Sequence, residues 1–266
     1  MMEVLTLIVS FIALAVSIVS TIYSFRLQSL DSQRTTREQL NSVISELIKT
    51  NAENNAMSRV PIAARDFAYY QKSSTITQVA TALSRQAVYL VKQQKGFVTD
   101  VEYVSIAQGL VMSSDVQLAD KFYLESIKSA PSKFFKVSNT RMYAGFLFTQ
   151  GRHEQGRNFY QDALGELNND TDFNKYTNGY TYHTWMASEG SNGFWEEAEE
   201  KYHKAKRLFG SIANPFVKDN SITYLDKGRE IMYQFSNANK EASVLAANPS
   251  LAQPNPYTPN PETETS

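Results

Sequence analysis

Between Glu3 and Arg26 the chain runs VLTLIVSFIALAVSIVSTIYSF, 22 residues without a charge. As a helix rising about 1.5 Å per residue, this run reaches roughly 33 Å and matches a hydrocarbon core of about 30 Å. A cleaved secretory leader would begin with basic residues, carry a shorter apolar stretch and end in a small-residue cleavage site. Here the leading residues are Met-Met-Glu, and no such site precedes Arg26. The expectation is a retained single transmembrane helix over residues 1–25. No Lys or Arg precedes it, whereas Arg26, Arg34 and Arg37 follow, so the positive-inside bias places the C-terminal body in the cytoplasm, at the cell membrane. Within the run, Ser10, Ala13, Ser17, Ser20 and Ser24 are spaced 3, 4, 3 and 4, which aligns small side chains along one seam. Such a seam suits self-association in lipid; the competing reading is that the hydroxyls bond their own backbone.

The segment 26–60 is polar and lacks Gly, and its apolar residues Leu40, Val43, Ile44, Leu47 and Ile48 fall at helical spacing over about two turns. It reads as a helical stalk, with a short coiled coil between copies as an option. At the other end, residues 248–266 hold five of the eight prolines, interleaved with Asn, Thr and Glu. That composition cannot bury enough apolar surface to offset chain ordering, and the tail is expected to be disordered. A polyproline II ligand is its functional alternative. Residues 61–247 form the body, and their rhythm is helical: Ile76, Val79, Ala80, Leu83, Ala87, Leu90 and Val91 keep one apolar face. Strand signals are nearly absent, so the body is expected to be all-α.

An internal period lies inside the body. The stretch RMYAGFLFTQG (141–151) is followed by RHEQGRNFYQDAL (152–164). Ala144 sits where two antiparallel helices would cross, Gly151 makes the turn, Gly156 takes the small position of the second helix, and Tyr160, Ala163 and Leu164 follow. Helices approach closely only where small side chains face each other, with large ones filling the space beside them. This pattern resembles a tetratricopeptide repeat. Two more units fit the frame. Upstream, Tyr103, Ile106, Ala107 and Leu110 are followed by Ala119, Tyr123, Ser126 and a terminating Pro131. Downstream, Tyr182 and Trp185 precede Gly193, Ala198, Tyr202 and Ala205. The equivalent small residues Ala119, Gly156 and Ala198 are 37 and 42 apart, so the repeats diverge from the usual 34. The resemblance covers roughly residues 100–208 and implies a short α-solenoid of divergent hairpins. Ile76–Val91 and Asp219–Phe235 are then read as flanking helices.

Chemistry has few footholds. With 26 Lys+Arg against 27 Asp+Glu the net charge is −1, which removes the basic footprint of a nucleic-acid binder. There is no Cys, so disulfides, thiolate metal sites and cysteine nucleophiles are excluded. His153, His183 and His203 share no metal-binding spacing, and His153-Glu154 lacks the second His of a zincin helix. No phosphate loop or nucleophile elbow is present. The Tyr-rich NKYTNGYTY (174–182) reads as a loop leading into a helix rather than as a carbohydrate platform. Asp170 and Asp172 read as solvated linker residues. Glu196 to Arg207 places acids first and bases last, which complements the helix dipole and offers Glu197–Lys201 and Glu200–Lys204 pairs on a solvated face. No cofactor or metal is expected, and the chain is read as a non-enzyme.

Recognition remains. The resemblance implies that the first helices of the repeats line a concave surface that holds a protein or peptide partner. Carried over, the lining positions are Val104, Gln108 and Val111, then Arg141, Gly145 and Phe148, then Tyr180, His183 and Ala187. The alternative is that the protein's own N-terminal helices cover this surface. The expected function is a membrane-anchored adaptor or scaffold. The alternatives are a structural homo-oligomer with a self-occupied groove, or an enzyme subunit grouping His183, Glu189 and Arg141.

Overall fold

The structure, a computed structural model, describes the backbone of residues 2–58, 60, 64–94 and 98–247, and side chains from residue 20 to residue 234 within those spans. The described residues form helices α1 (Met2–Ser58), α2 (Phe67–Gln93), α3 (Asp100–Met112), α4 (Val116–Lys128), α5 (Lys133–Thr149), α6 (His153–Gly165), α7 (Asp172–Ser191), α8 (Trp195–Gly210) and α9 (Pro215–Ala247), with no strand among them. The all-α expectation holds. Two compact units divide the chain, residues 1–139 and 140–266.

In the first unit α1 packs on α2 and α3, and α3 pairs with α4. Leu40 and Leu47 are fully buried and Val43 and Ile44 nearly so. The apolar stripe, read as part of a stalk with a coiled coil between copies as an option, is used inside the unit, against α2 and α3, while Ile48 stays exposed. Gly109 of α3 lies at the tightest crossing: a Cβ there would sit 2.1 Å from Ser84 Oγ and 2.8 Å from Leu47 Cδ1. Arg37 of α1 forms a two-point ion pair with Glu102, donating from Nη1 at 3.1 Å and Nη2 at 2.8 Å. Glu102 also accepts from the Thr99 backbone N–H in the capping box that starts α3.

Among the described residues no helix is long and apolar enough to cross a membrane. Most of the Val4–Phe25 run lies outside the residues whose side chains are described, and with it Ser10, Ala13 and Ser17 of the small-residue seam. Ser20 and Ser24 are described and exposed, as is every residue from Ser20 to Ser32. Residues 248–266 lie outside the described part, so the expectation of a disordered tail does too.

In the second unit α7 pairs with α8, and α9 packs on both. The α5–α6 contact is built on Phe148 and Tyr160, each about 1 % exposed, beside buried Ala144 and Trp185. Gly156 meets the Phe148 ring, and a Cβ there would lie 2.5 Å from it. Ala119, Gly156 and Ala198, the three residues expected at helix crossings, are all buried.

The three hairpins α3–α4, α5–α6 and α7–α8 close with one turn. Each puts a residue in the left-handed region: Ser114 (φ 60), Gly151 (φ 71) and Gly193 (φ 84). In each, the next backbone N–H reaches back five residues: Asp115 to Leu110 O at 2.9 Å, Arg152 to Leu147 O at 2.9 Å, and Phe194 to Glu189 O at 3.0 Å. This is the geometry that satisfies the last carbonyls of a helix. Glycine meets the positive φ in two turns, and Ser114 carries a steric cost in the third. Ser114→Gly is expected to stabilise the first unit by about 0.5–1 kcal/mol, read as a raised urea midpoint by circular dichroism with an unchanged slope.

Two boundaries differ from the sequence expectation. Helix α7 begins at Asp172, because Thr171 caps it by accepting from Asn174 N–H at 3.1 Å. NKYTNGYTY is therefore helical, and its Tyr residues lie on helix faces rather than in a loop. Asp172 is likewise no linker residue: its carboxylate accepts from the Ala213 and Asn214 backbone N–H groups at 3.0–3.1 Å, and these bonds hold its pKa below the usual carboxylate value. Helix α9 starts at Pro215, the position where a missing N–H costs nothing, with Asn214 accepting from Val217 N–H at 3.1 Å.

Candidate functional site

Helical periodicity sets Tyr176, Tyr180 and His183 on one face of α7, at i, i+4 and i+7. Helix α9 brings Tyr224 to that face, and α5 brings Arg141. Tyr180 is the middle of a ladder. Its ring lies 6.3 Å from Tyr176 at an interplanar angle of 10°, and 6.4 Å from Tyr224 at 25°. The Arg141 guanidinium sits over Tyr180, with Cζ 4.6 Å from the ring centroid. His183 flanks the ladder, 5.6 Å from Tyr180 and 5.0 Å from Tyr224. Tyr176 and Tyr224 are exposed, at 42 % and 55 %, whereas His183 is buried.

The electrostatics of this face follow from burial and one cation. Burial pushes the His183 imidazole down to about 4, and the Arg141 charge pushes the same way, so the ring is neutral at pH 7. Its Nδ1 is buried without a hydrogen-bond partner. Burial lowers the Arg141 guanidinium from its ordinary value. It also raises the Tyr180 phenol, which the neighbouring Tyr224 raises further. Tyr180 and His183 are therefore both uncharged near neutrality. What the face offers is stacking area, hydroxyl edges and one positive charge over a ring, worth about 0.5–2 kcal/mol as a cation–π contact.

The expected lining residues divide. Arg141, Tyr180 and His183 are brought together in the second unit. Phe148 is not part of that surface: it is an interior side chain against Gly156, because the α5–α6 crossing needs its volume there. Gly145 faces Tyr160, whose hydroxyl bonds with Ser188 Oγ at 2.9 Å; Ala187 is exposed. In the first unit Val104 is buried, and Gln108 and Val111 are half-buried. Asn51 of α1 donates to Gln108 Oε1 at 3.3 Å and to Ser105 O at 3.2 Å, so α1 occupies that face of α3. Tyr176 and Tyr224 were missed. The i, i+4 pair Tyr176/Tyr180 was a readable signal once the segment is helical; nothing in the sequence pointed to Tyr224.

Glu189 does not join His183 and Arg141. It is fully buried, and both oxygens are engaged: Arg157 Nε donates to Oε1 and Nη2 to Oε2, each at 2.8 Å, and the Trp185 indole N–H donates to Oε1 at 2.8 Å. Trp185 stacks on Tyr160 at 5.3 Å and 8°, and the Lys201 ammonium lies 4.5 Å above its ring. Lys201 is thus a buried residue whose ion-pair partner is Glu200 at 2.5 Å, not the expected Glu197. The Glu200–Lys204 pair is present at 2.5 Å. A second tyrosine cluster holds Arg229 between Tyr202 and Tyr233, with Glu199 accepting from its Nε at 2.7 Å and its Nη2 at 2.9 Å. Among the described residues no group of His, Asp or Glu is placed to hold a metal ion. No protein-family model, curated protein or solved structure gives a match to this chain.

Proposed function

We propose that the chain is a single-pass membrane protein whose second unit captures a protein or peptide partner on the ladder of Tyr176, Tyr180 and Tyr224 with Arg141. The observation that carries this reading is the ladder itself: two exposed tyrosines and a half-buried one in register, with a cation on the central ring. Tyrosine rings supply large contact areas at little conformational cost, and tyrosine and arginine are both enriched among the residues that carry binding energy. The described side chains of the ladder offer ring faces, hydroxyls and a cation, which suit binding.

Membrane attachment is supported by the charge-free run Val4–Phe25 and by the exposure of Ile22, Tyr23 and Phe25 at its C-terminal end, an apolar and aromatic band just before Arg26. The arginines that follow favour a cytoplasmic body. The finer fold reading, a short solenoid of tetratricopeptide-like hairpins, draws support from the common turn at Ser114, Gly151 and Gly193, whose spacings repeat the 37 and 42 of the small crossing residues. Confinement to a membrane raises the effective concentration of a membrane-borne partner, so a modest surface suffices.

The test is proximity labelling from a C-terminal fusion in cells. Tyr224→Ala, at a half-exposed position, is expected to remove specific neighbours while lowering the thermal midpoint by no more than about 4 °C, the loss of ring contacts worth about 1 kcal/mol. An unchanged set of neighbours in Tyr224→Ala and in Arg141→Ala would contradict the assignment.

A further inference from the structure

The ladder fits a ligand that the chain itself carries. We infer that the proline-rich tail, residues 248–266, docks on Tyr176, Tyr180 and Tyr224 as a polyproline II segment and competes there with the partner. The inference rests on the ladder being the recognition surface. Three observations lead to it.

The first is chemistry. Proline fixes φ and lacks an N–H, so a proline-rich segment enters an extended three-residue helix with little entropy left to lose, and parallel aromatic rings are the surface such segments recognise. The tail carries Pro249, Pro254, Pro256, Pro259 and Pro261. Pro259 and Pro261 are about 6 Å apart along such a helix, the scale of the 6.4 Å between the Tyr224 and Tyr180 rings.

The second is charge. The tail contains Glu262 and Glu264 and no Lys or Arg, and the ladder carries the Arg141 guanidinium on its central ring.

The third is reach. Helix α9 runs from Tyr224 on the ladder to Ala247. Those 23 residues cover about 35 Å at the helical rise. A chain doubling back along α9 at about 3.1 Å per residue covers that length in 11 or 12 residues. Thr258 and Pro259 then fall level with Tyr224, and Pro261 and Glu262 follow.

The chain has no cysteine, so two introduced ones take nitroxide labels without background. Asn220→Cys, exposed on α9, and Thr258→Cys in the tail are labelled in the full chain in detergent, and the distance between them is read by pulsed electron resonance. Docking predicts one narrow distribution, well short of the ~40 Å that α9 covers from Asn220 to its end. Tyr224→Ala, or Pro259→Gly with Pro261→Gly, is expected to abolish the narrow component; the tail substitutions do not touch the folded body. Dilution with unlabelled chain should leave it unchanged. A broad distribution in the parent chain, a narrow one that survives Tyr224→Ala, or one lost on dilution and hence formed between copies would each overturn the inference. If the parent is broad while Tyr224→Ala still strips neighbours in the labelling experiment, the tail assignment falls and the partner surface stands.

Discussion

Arg157→Ala is expected to lower the unfolding free energy of the second unit by about 3–5 kcal/mol, the cost of leaving a buried charge without its partner. Glu189 has no exposed side-chain surface, and Arg157 supplies its two-point partner while remaining 22 % exposed itself. With the guanidinium gone, the carboxylate keeps only the Trp185 indole N–H. Arg157→Lys should fall between, because an ammonium cannot match both oxygens as the guanidinium fork does. Glu189→Gln in the Arg157→Ala background should recover part of the loss, since the charge left stranded is then removed. Both tryptophans of the chain, Trp185 and Trp195, lie in this unit, so tryptophan fluorescence during urea unfolding reports its stability alone. A loss below about 1 kcal/mol, the range of an exposed pair, would show that Glu189 is solvated.

Phe148→Ala is expected to cost about 3–5 kcal/mol by the same readout, as the loss of a large buried side chain plus the cavity it leaves. A residue lining an open groove would give a near-neutral effect on stability, so the experiment separates interior packing from recognition. Gly156→Ala presses on the same ring from the other side and should cost about 1–3 kcal/mol by overpacking. Joined to Phe148→Leu, which frees space where the new methyl points, it should cost less than the sum of the two single changes. Strict additivity would place Phe148 and Gly156 out of contact.

The hairpins were legible in the sequence because their determinants are local. Ala144, Gly151 and Gly156 sit within one hairpin, and their spacing carries both the turn and the crossing. The same logic placed Ala119 and Ala198, and all three crossing residues are buried. The ladder was half legible: Arg141, Tyr180 and His183 followed from the repeat frame, while Tyr224 comes from a helix more than 40 residues further on than Tyr180. Pairs such as Arg157–Glu189 and Arg37–Glu102 are separated by 32 and 65 residues, and no periodicity reports a partner at that distance. For a related reason the helix of the stalk was legible and its packing partner was not. A two-turn apolar stripe states that a helix buries one face, not whether the cover is another copy or α2 and α3 of the same chain. Lys201 shows the converse error: its position in a run of charges suggested solvent, but the flat face of Trp185 and the Glu200 carboxylate give its stem and ammonium a buried place.

The second half of α1 lies in the core of the first unit, and the proposed role of its start is to anchor the chain in lipid. Alkaline washing of membranes from cells expressing the full chain, and from cells expressing a chain without residues 2–25, tests that role most directly. The full chain is predicted to stay with the membrane pellet. The shortened chain, which keeps Leu40, Val43, Ile44 and Leu47, is predicted to appear in the supernatant with an unchanged tryptophan emission spectrum. Release of the full chain by the wash would contradict the account.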